Sequence, residues 1–329
     1  MKSAQIRFVN RLALGLIFLL TLISACTPPP RQSKIVLPED ADIGLKAVEQ
    51  AGLIQQLSLP AQVAFTAEGA SPVSVMLDWA YADESRLAMG WTVAGLNAPK
   101  DANLDDYICD PYFAKKEGIK FGKYGMLRYI RPESGDPGEP IHLTYIYYQD
   151  VASGKAREMD FTADLTLGDC GSAKTGLESE QNPAAQTTLI PMIGNYQVSF
   201  KLPVYDGISI HPDQAVMSNE ITARLETVVA SPSYLIARVC FSIDELNQKL
   251  GDWEAAGWYT ESSLQINNGD WLENNFVYPD LAGKEQCTDF GFGTPFLEKE
   301  NQVIIKVSPS VEGLKGDWEF HLQVTKVNP

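Results

Sequence analysis

The chain has 329 residues, 45% of them hydrophobic, with 26 Lys and Arg against 42 Asp and Glu and a formal net charge of −16. This length and an ordinary apolar share suit a globular protein of about two domains. So acidic a surface repels phosphate backbones and anionic headgroups, which excludes nucleic acid as a partner and excludes polybasic docking on membranes.

The chain opens "MKSAQIRFVNR", with Lys2, Arg7 and Arg11 and no acid, followed by an apolar run from Leu12 to Ile23. At ~1.5 Å per helical residue such a run reaches about 18 Å, short of a hydrocarbon core of about 30 Å. A basic head, a short apolar run and small residues before a cut site describe a secretory signal over residues 1–25. Ile23-Ser24-Ala25-Cys26 resembles the lipobox of bacterial lipoproteins. That resemblance implies a lipid on Cys26, which becomes the mature N-terminus. Pro28-Pro29-Pro30 then favour an extended spacer, so residues 26–41 read as a tether. The expected location is the extracytoplasmic face of a bacterial membrane, at the cell surface or in the periplasm.

Helical pattern is scarce beyond the tether. Asp42 to Gln56 carries some, weakened by Gly44 and Gly52 and stopped by Pro60, so a short helix followed by an edge strand is expected there. Strand pattern dominates the rest. Val73, Val75, Leu77, Trp79 and Tyr81 alternate with Ser74, Met76, Asp78 and Ala80, which places the first set on one buried face. Leu87, Met89, Trp91 and Val93 repeat the period, as do Tyr196, Val198, Phe200 and Leu202, and again Trp318, Phe320, Leu322 and Val324. A second short helix is expected through "DELNQKL", ending at Gly251.

"VSVMLDWAYADESRLAMGWTV" aligns without gaps on "ITARLETVVASPSYLIARVCF", pairing Leu77 with Leu225 and Leu87 with Leu235. "GNYQVSFKL" aligns on "GDWEFHLQV", pairing Tyr196 with Trp318. The expected fold is therefore all-β, with two tandem antiparallel β-sandwich domains over 42–205 and 206–329. The boundary is set in "PVYDGISIHPDQ", where Pro203, Gly207 and Pro212 interrupt strand pattern.

"AVEQAGLIQQL" leading into "VSVMLDWAYADESRLAMGWTVAGLN" resembles the extracytoplasmic domain of unknown function carried by bacterial anti-sigma-factor-type membrane proteins. The shared features are the aliphatic strand Val73 to Leu77, the acidic turn at Tyr81-Ala82-Asp83, the strand Leu87 to Val93 and the Gly95-Leu96 step. The C-terminal half resembles the immunoglobulin-like domain often found after it, so the resemblance implies two tandem immunoglobulin-like sandwiches and an extracytoplasmic location. The chain departs from that family in carrying a lipobox where a cytoplasmic domain and a membrane-spanning helix would stand, so direct sigma-factor binding is excluded if Cys26 is lipidated.

Five cysteines less Cys26 leave Cys109, Cys170, Cys240 and Cys287. An exported compartment permits disulfides, and four cysteines allow three connectivities. If the chain divides near residue 205, Cys109–Cys170 and Cys240–Cys287 is the economical pairing. Four buried free thiols are the alternative.

No G-x-S-x-G, H-E-x-x-H, P-loop or G-x-G-x-x-G occurs, and His142, His211 and His321 show no metal-ligand spacing. No catalytic residue, metal site or cofactor is assigned, and the chain is read as a non-enzyme. Asp101, Asp105, Asp106 and Asp110 crowd one loop as carboxylates that Ca²⁺ favours, although the spacing is not that of an EF-hand and a solvated acidic loop is the plainer reading. The triplet Gly-Asp-Trp occurs at residues 251–253, 269–271 and 316–318. Trp253, Trp258 and Trp271 are the candidates for a ligand platform, against core or loop-anchor roles, and Trp318 follows an inward alternation. The function expected first is a non-catalytic, envelope-anchored ectodomain that binds a protein partner in a sensory or structural role. A carbohydrate-binding module for wall or external polysaccharide is the alternative, and a hydrolase with an unrecognised site the third.

Overall fold

The computed structural model describes residues 35–68, 72–98, 104–109, 112–113, 119–130, 139–151, 157–168, 193–252, 259–274, 276–282, 284–296, 300–311, 314, 316–325 and 327. Helix α1 (Ile43–Gln50) starts where the Asp42 side chain accepts a hydrogen bond from the Leu45 backbone N–H at 2.8 Å. It ends before Gly52, whose φ of +71° takes the chain out of the helix. Leu45 and Val48, one turn apart, are its buried stripe.

Nine strands follow in one sheet: β1 (Gln55–Pro60), β2 (Gln62–Thr66), β3 (Ser74–Asp83), β4 (Arg86–Ala94), β5 (Tyr112–Phe113), β6 (Ile119–Ile130), β7 (Ile141–Val151), β8 (Arg157–Leu167) and β9 (Gly194–Tyr205). Their order is β5-β8-β9-β3-β4-β7-β6, with β1 also paired to β3 and β2 to β9. All pairings are antiparallel except a two-residue parallel contact of β3 with β9. Along β9 every second residue, from Tyr196 to Val204, is buried, as the alternation requires. Leu77, Trp91 and Leu143 from one arm share a core with Phe161, Phe200 and Leu202 from the other, so the sheet folds over onto itself.

The second half holds β10 (Ile208–Ile210), β11 (Gln214–Ser218), β12 (Ile221–Ala230), β13 (Leu235–Ser242), α2 (Ile243–Leu250), β14 (Thr260–Ile266), β15 (Trp271–Glu273), β16 (Phe276–Ala282), β17 (Glu285–Phe292), β18 (Glu300–Pro309) and β19 (Trp318–Thr325). A six-stranded sheet runs β10-β12-β13-β17-β16 with β11 also on β12, and a four-stranded sheet runs β15-β14-β18-β19. Leu225, Val239, Phe241 and Phe290 from the first sheet meet Leu264, Ile305, Trp318 and Phe320 from the second in one core. The fold class is all-β, built from antiparallel sheets packed face to face.

One feature of the sequence pattern is overturned. Trp79 and Tyr81 do not share a face with Val75 and Leu77. A bulge between Leu77 and Trp79 inserts one residue opposite Trp91-Gly90 and reverses the phase of the strand. Val75, Leu77, Ala80 and Ala82 then face the first core, while Trp79 and Tyr81 face α1. The Trp79 indole lies across Gly90, where any Cβ would collide with it.

The repeat is visible in the register of the two hairpins. Ala82 pairs with Leu87, and Ala230 pairs with Leu235, the same step 148 residues later. The β12–β13 ladder also shifts between Leu225 and Thr227, the positions aligned with Leu77 and Trp79. The two aligned turns, Asp83 to Arg86 and Ser231 to Tyr234, pack against one another under the start of α1.

Arg86, fully buried, makes this junction. Its Nη1 and Nη2 donate to Asp42 Oδ2 and Oδ1 at 2.5 and 3.1 Å, its Nε to Ser233 Oγ at 2.8 Å, and Nη2 also to the Ser233 carbonyl at 3.1 Å. The guanidinium lies 5.2 Å from the centre of the Tyr234 ring. Asp83 accepts from Tyr81 Oη at 2.7 Å, from Ser233 Oγ at 2.5 Å and from the Ser85 and Arg86 amides at 2.9 Å. Burial alone would lower the Arg86 pKa; Asp42, with help from Asp83 and Tyr81, holds it above its ordinary value. The charge is therefore permanent. Residues 35–329 form one compact unit.

Candidate functional site

The β14–β15 hairpin turns through Asn267 and Asn268, both left-handed at φ 51° and 56°, and closes with the Gly269 N–H donating to the Ile266 carbonyl at 2.8 Å. This is the turn that two-residue hairpins favour, and asparagine tolerates both positions. One extra residue on the β15 side then brings Trp271 opposite Gln265, and the row continues as Gln265↔Ile304 and Ile304↔His321. One row across four strands therefore reads Trp271, Gln265, Ile304, His321. Since Leu264, Ile305 and Phe320 in the neighbouring row are core residues, the first row faces outward.

Two residues along the strands, Gln302 pairs with Gln323 on the same outer face. Gln265, Gln302, Gln323, Asn268, His321 and Ile304 line a shallow cavity of about 370 Å³ there. Trp271 is 44% exposed, an unusual place for the largest side chain. Gln265 Nε2 donates to the Gly269 carbonyl at 2.8 Å, so its amide is already held in place. Beside the cavity, Lys306 is paired with Asp317 at 2.7 Å, and His321 Nε2 stands 3.8 Å from Glu319. The outer face of the six-stranded sheet is different in kind. There Arg224 pairs with Glu285 at 2.7 Å, and Arg238 with Glu226 at 3.0 Å and Asp289 at 3.1 Å.

The three Gly-Asp-Trp triplets do not share a role. Trp318 is fully buried, donates Nε1–H to the Ile221 carbonyl at 3.0 Å and meets Phe241 edge-on at 5.2 Å. Trp271 points out, while Trp253 and Trp258 lie outside the described residues. The shared triplet groups Trp271 with those two; the structure sets it beside Gln265, at the opposite end of the row from His321. The amides carried no signal in the sequence, because they come from three strands and glutamine is common on any exposed face.

Of the acidic loop, Asp101 and Asp110 lie outside the described residues, as does the Asp105 side chain, and Asp106 is exposed on a short 3₁₀ turn. Cys240 and Cys287 form a disulfide between directly paired residues of β13 and β17. Cys109 is also disulfide-bonded; Cys170 and Cys26 lie outside the described residues. Among the described residues, the side chains closest to a metal-ligand grouping are Glu226, Cys240 and Cys287, and the two sulfurs are joined to each other.

The histidines stay apart. His211 stands near Thr227, and His142 Nδ1 lies 3.0 Å from Thr92 Oγ1, which donates to Asp78 Oδ2 at 2.5 Å. Burial raises the Asp78 pKa, opposed by the Thr92 hydrogen bond and by His142. An acid more easily ionised when unfolded costs stability as the pH rises above its unfolded value of about 3.9, and the cost is complete above the raised folded value. Asp78→Asn, which can still accept from Thr92, is expected to gain stability relative to the parent between pH 4 and pH 7. Urea midpoints of both proteins across that range check the sign.

No protein-family model and no curated protein matches this chain. Among solved structures it is similar to a conserved domain protein from Bacillus anthracis, with a TM-score of 0.51 at 10% identity over 83% of this chain and 92% of that one. Collagen adhesin from S. aureus aligns at a TM-score of 0.18 and 9% identity, over 82% of this chain and 94% of that one, too distant to carry an argument. The likeness to the Bacillus anthracis protein is one of fold.

Proposed function

We propose that this chain is a lipid-tethered, extracytoplasmic, non-catalytic binding protein whose recognition surface is the outer face of the four-stranded sheet. The observation that carries this reading is the exposed row Trp271, Gln265, Ile304, His321 beside a cavity of about 370 Å³. A lipobox at Cys26, a Cys240–Cys287 disulfide suited to an oxidising compartment and the resemblance of residues 73–96 to anti-sigma-factor-type ectodomains support its placement outside the cytoplasm. A second reading, contact with an envelope protein, is favoured by Val63 and Phe65, apolar side chains more than half exposed on β2.

Two measurements test the reading. Cys26→Ala is expected to move the protein from the membrane fraction to the soluble one; retention in the membrane would refute the lipid tether. A photo-crosslinker at Gln323 of the full chain in intact cells is expected to capture a partner molecule that one at the exposed Gln248 of α2 does not. Equal capture at both positions, or none at Gln323, removes the four-stranded sheet as the recognition surface.

A further inference from the structure

Resting on that reading, we propose that the four-stranded sheet binds a neutral polysaccharide, with Trp271 as the stacking platform and the Gln265, Gln302 and Gln323 amides, with His321, engaging its hydroxyl groups. Three lines of chemistry converge on this ligand class.

The first is the kind of polar group present. A carboxamide is uncharged and offers two donors and an acceptor, and imidazole offers one of each when neutral. A sugar hydroxyl is likewise both donor and acceptor, and sugar rings carry pairs of them in fixed relation. Three glutamines and a histidine on one face, with no carboxylate and no cation lining the cavity, match such a surface without fixing a charge. An anionic ligand calls for cations, and Lys306, two residues along β18 from Ile304, is held by Asp317.

The second is the aromatic edge. An exposed indole presents a flat apolar face, and the C–H surface of a pyranose is flat and apolar on the matching scale. The row from Trp271 to His321 crosses three inter-strand spacings, or about 14 Å, which spans more than one sugar ring. The platform is also pre-ordered: the hairpin turn fixes Trp271 opposite Gln265, and the hydrogen bond to Gly269 fixes Gln265. Less ordering is then left to binding.

The third is what the surroundings reject. The chain carries a net charge of −16, so sulfated or uronic polymers meet repulsion before they reach the groove. At the Trp271 edge, addition of a partner's strand is poorly served, because β15 is three residues long.

The test is affinity electrophoresis of the full chain in mild detergent through gels containing laminarin, galactomannan, xylan or N-acetylglucosamine oligomers, with alginate and dextran sulfate as anionic probes. Retardation by at least one neutral probe and by neither anionic one is expected. Trp271→Ala, and separately Gln302→Ala with Gln323→Ala, should weaken it about tenfold or more, while Val277→Ala on the other sheet leaves it unchanged and all variants keep the parent melting temperature. No retardation by any neutral probe, stronger retardation by alginate, or unaltered binding by Trp271→Ala overturns the inference. If the Gln323 crosslinker captures a protein while every neutral probe fails, the binding reading stands and the glycan inference falls. If both fail, both are wrong.

Discussion

Arg86→Ala is expected to destabilise the folded chain by about 3–5 kcal/mol, the range for removing one partner of a buried ion pair. The guanidinium is fully buried and serves three elements at once: Asp42 at the start of α1, the β3–β4 turn that carries it, and Ser233 in the β12–β13 turn. Its loss takes the counter-charge from the Asp42 carboxylate, which still accepts from the Leu45 N–H, and empties the space beneath Tyr234. Arg86→Lys keeps the charge but cannot present two parallel donors to Asp42 while also reaching Ser233, so a loss of intermediate size is expected. Urea denaturation followed by tryptophan fluorescence measures both variants. A change below about 1 kcal/mol for the alanine variant would mean that the junction contributes little to folding.

The second large effect is Trp318→Ala, expected at about 3–5 kcal/mol, against a change within about 0.5 kcal/mol for Trp271→Ala. Both tryptophans follow Gly-Asp, so the local sequence is matched and only the setting differs. Trp318 fills the space between the two C-terminal sheets and spends its N–H on Ile221, whereas Trp271 covers little but the outer face. Thermal unfolding of the two variants side by side is the measurement. Equal losses would place Trp271 in a packing role and weaken its assignment to ligand binding.

Much of the architecture can be read from period-two alternation, because a strand with one wet face must alternate. Tyr196 to Leu202 and Trp318 to Val324 show this on β9 and β19. The failure at Trp79 and Tyr81 is as instructive. Asp78 sits where a polar residue fits the alternation, so nothing local announces that it is the extra residue of a bulge. Only the partner strand, with Gly90 opposite Trp79, reveals it. The aligned bulge between Leu225 and Thr227 shows that the irregularity belongs to the repeat.

The candidate face and the junction are out of reach for a different reason. Arg86 finds Asp42 across 44 residues and Ser233 across 147, and charge patterning reports only on neighbours along the chain. The outer face of the four-stranded sheet brings together Trp271, Gln302 and Gln323 from separate strands. Trp271 alone could be nominated beforehand, and the amides beside it became meaningful only with the register.

The junction also determines how a pull would travel through the molecule. Ile35 and Leu37 already pack at the cluster that holds α1, and the Gly44 N–H donates across to the Gly293 carbonyl in the second half. Tension between the N-terminal end and a ligand held on the four-stranded sheet would thus pass from α1 into the second half directly, without stretching the nine-stranded sheet in between. The two halves would be loaded side by side, not end to end. Resistance to such a load would then depend on how fast the contacts of α1 with Arg86 and Gly293 open.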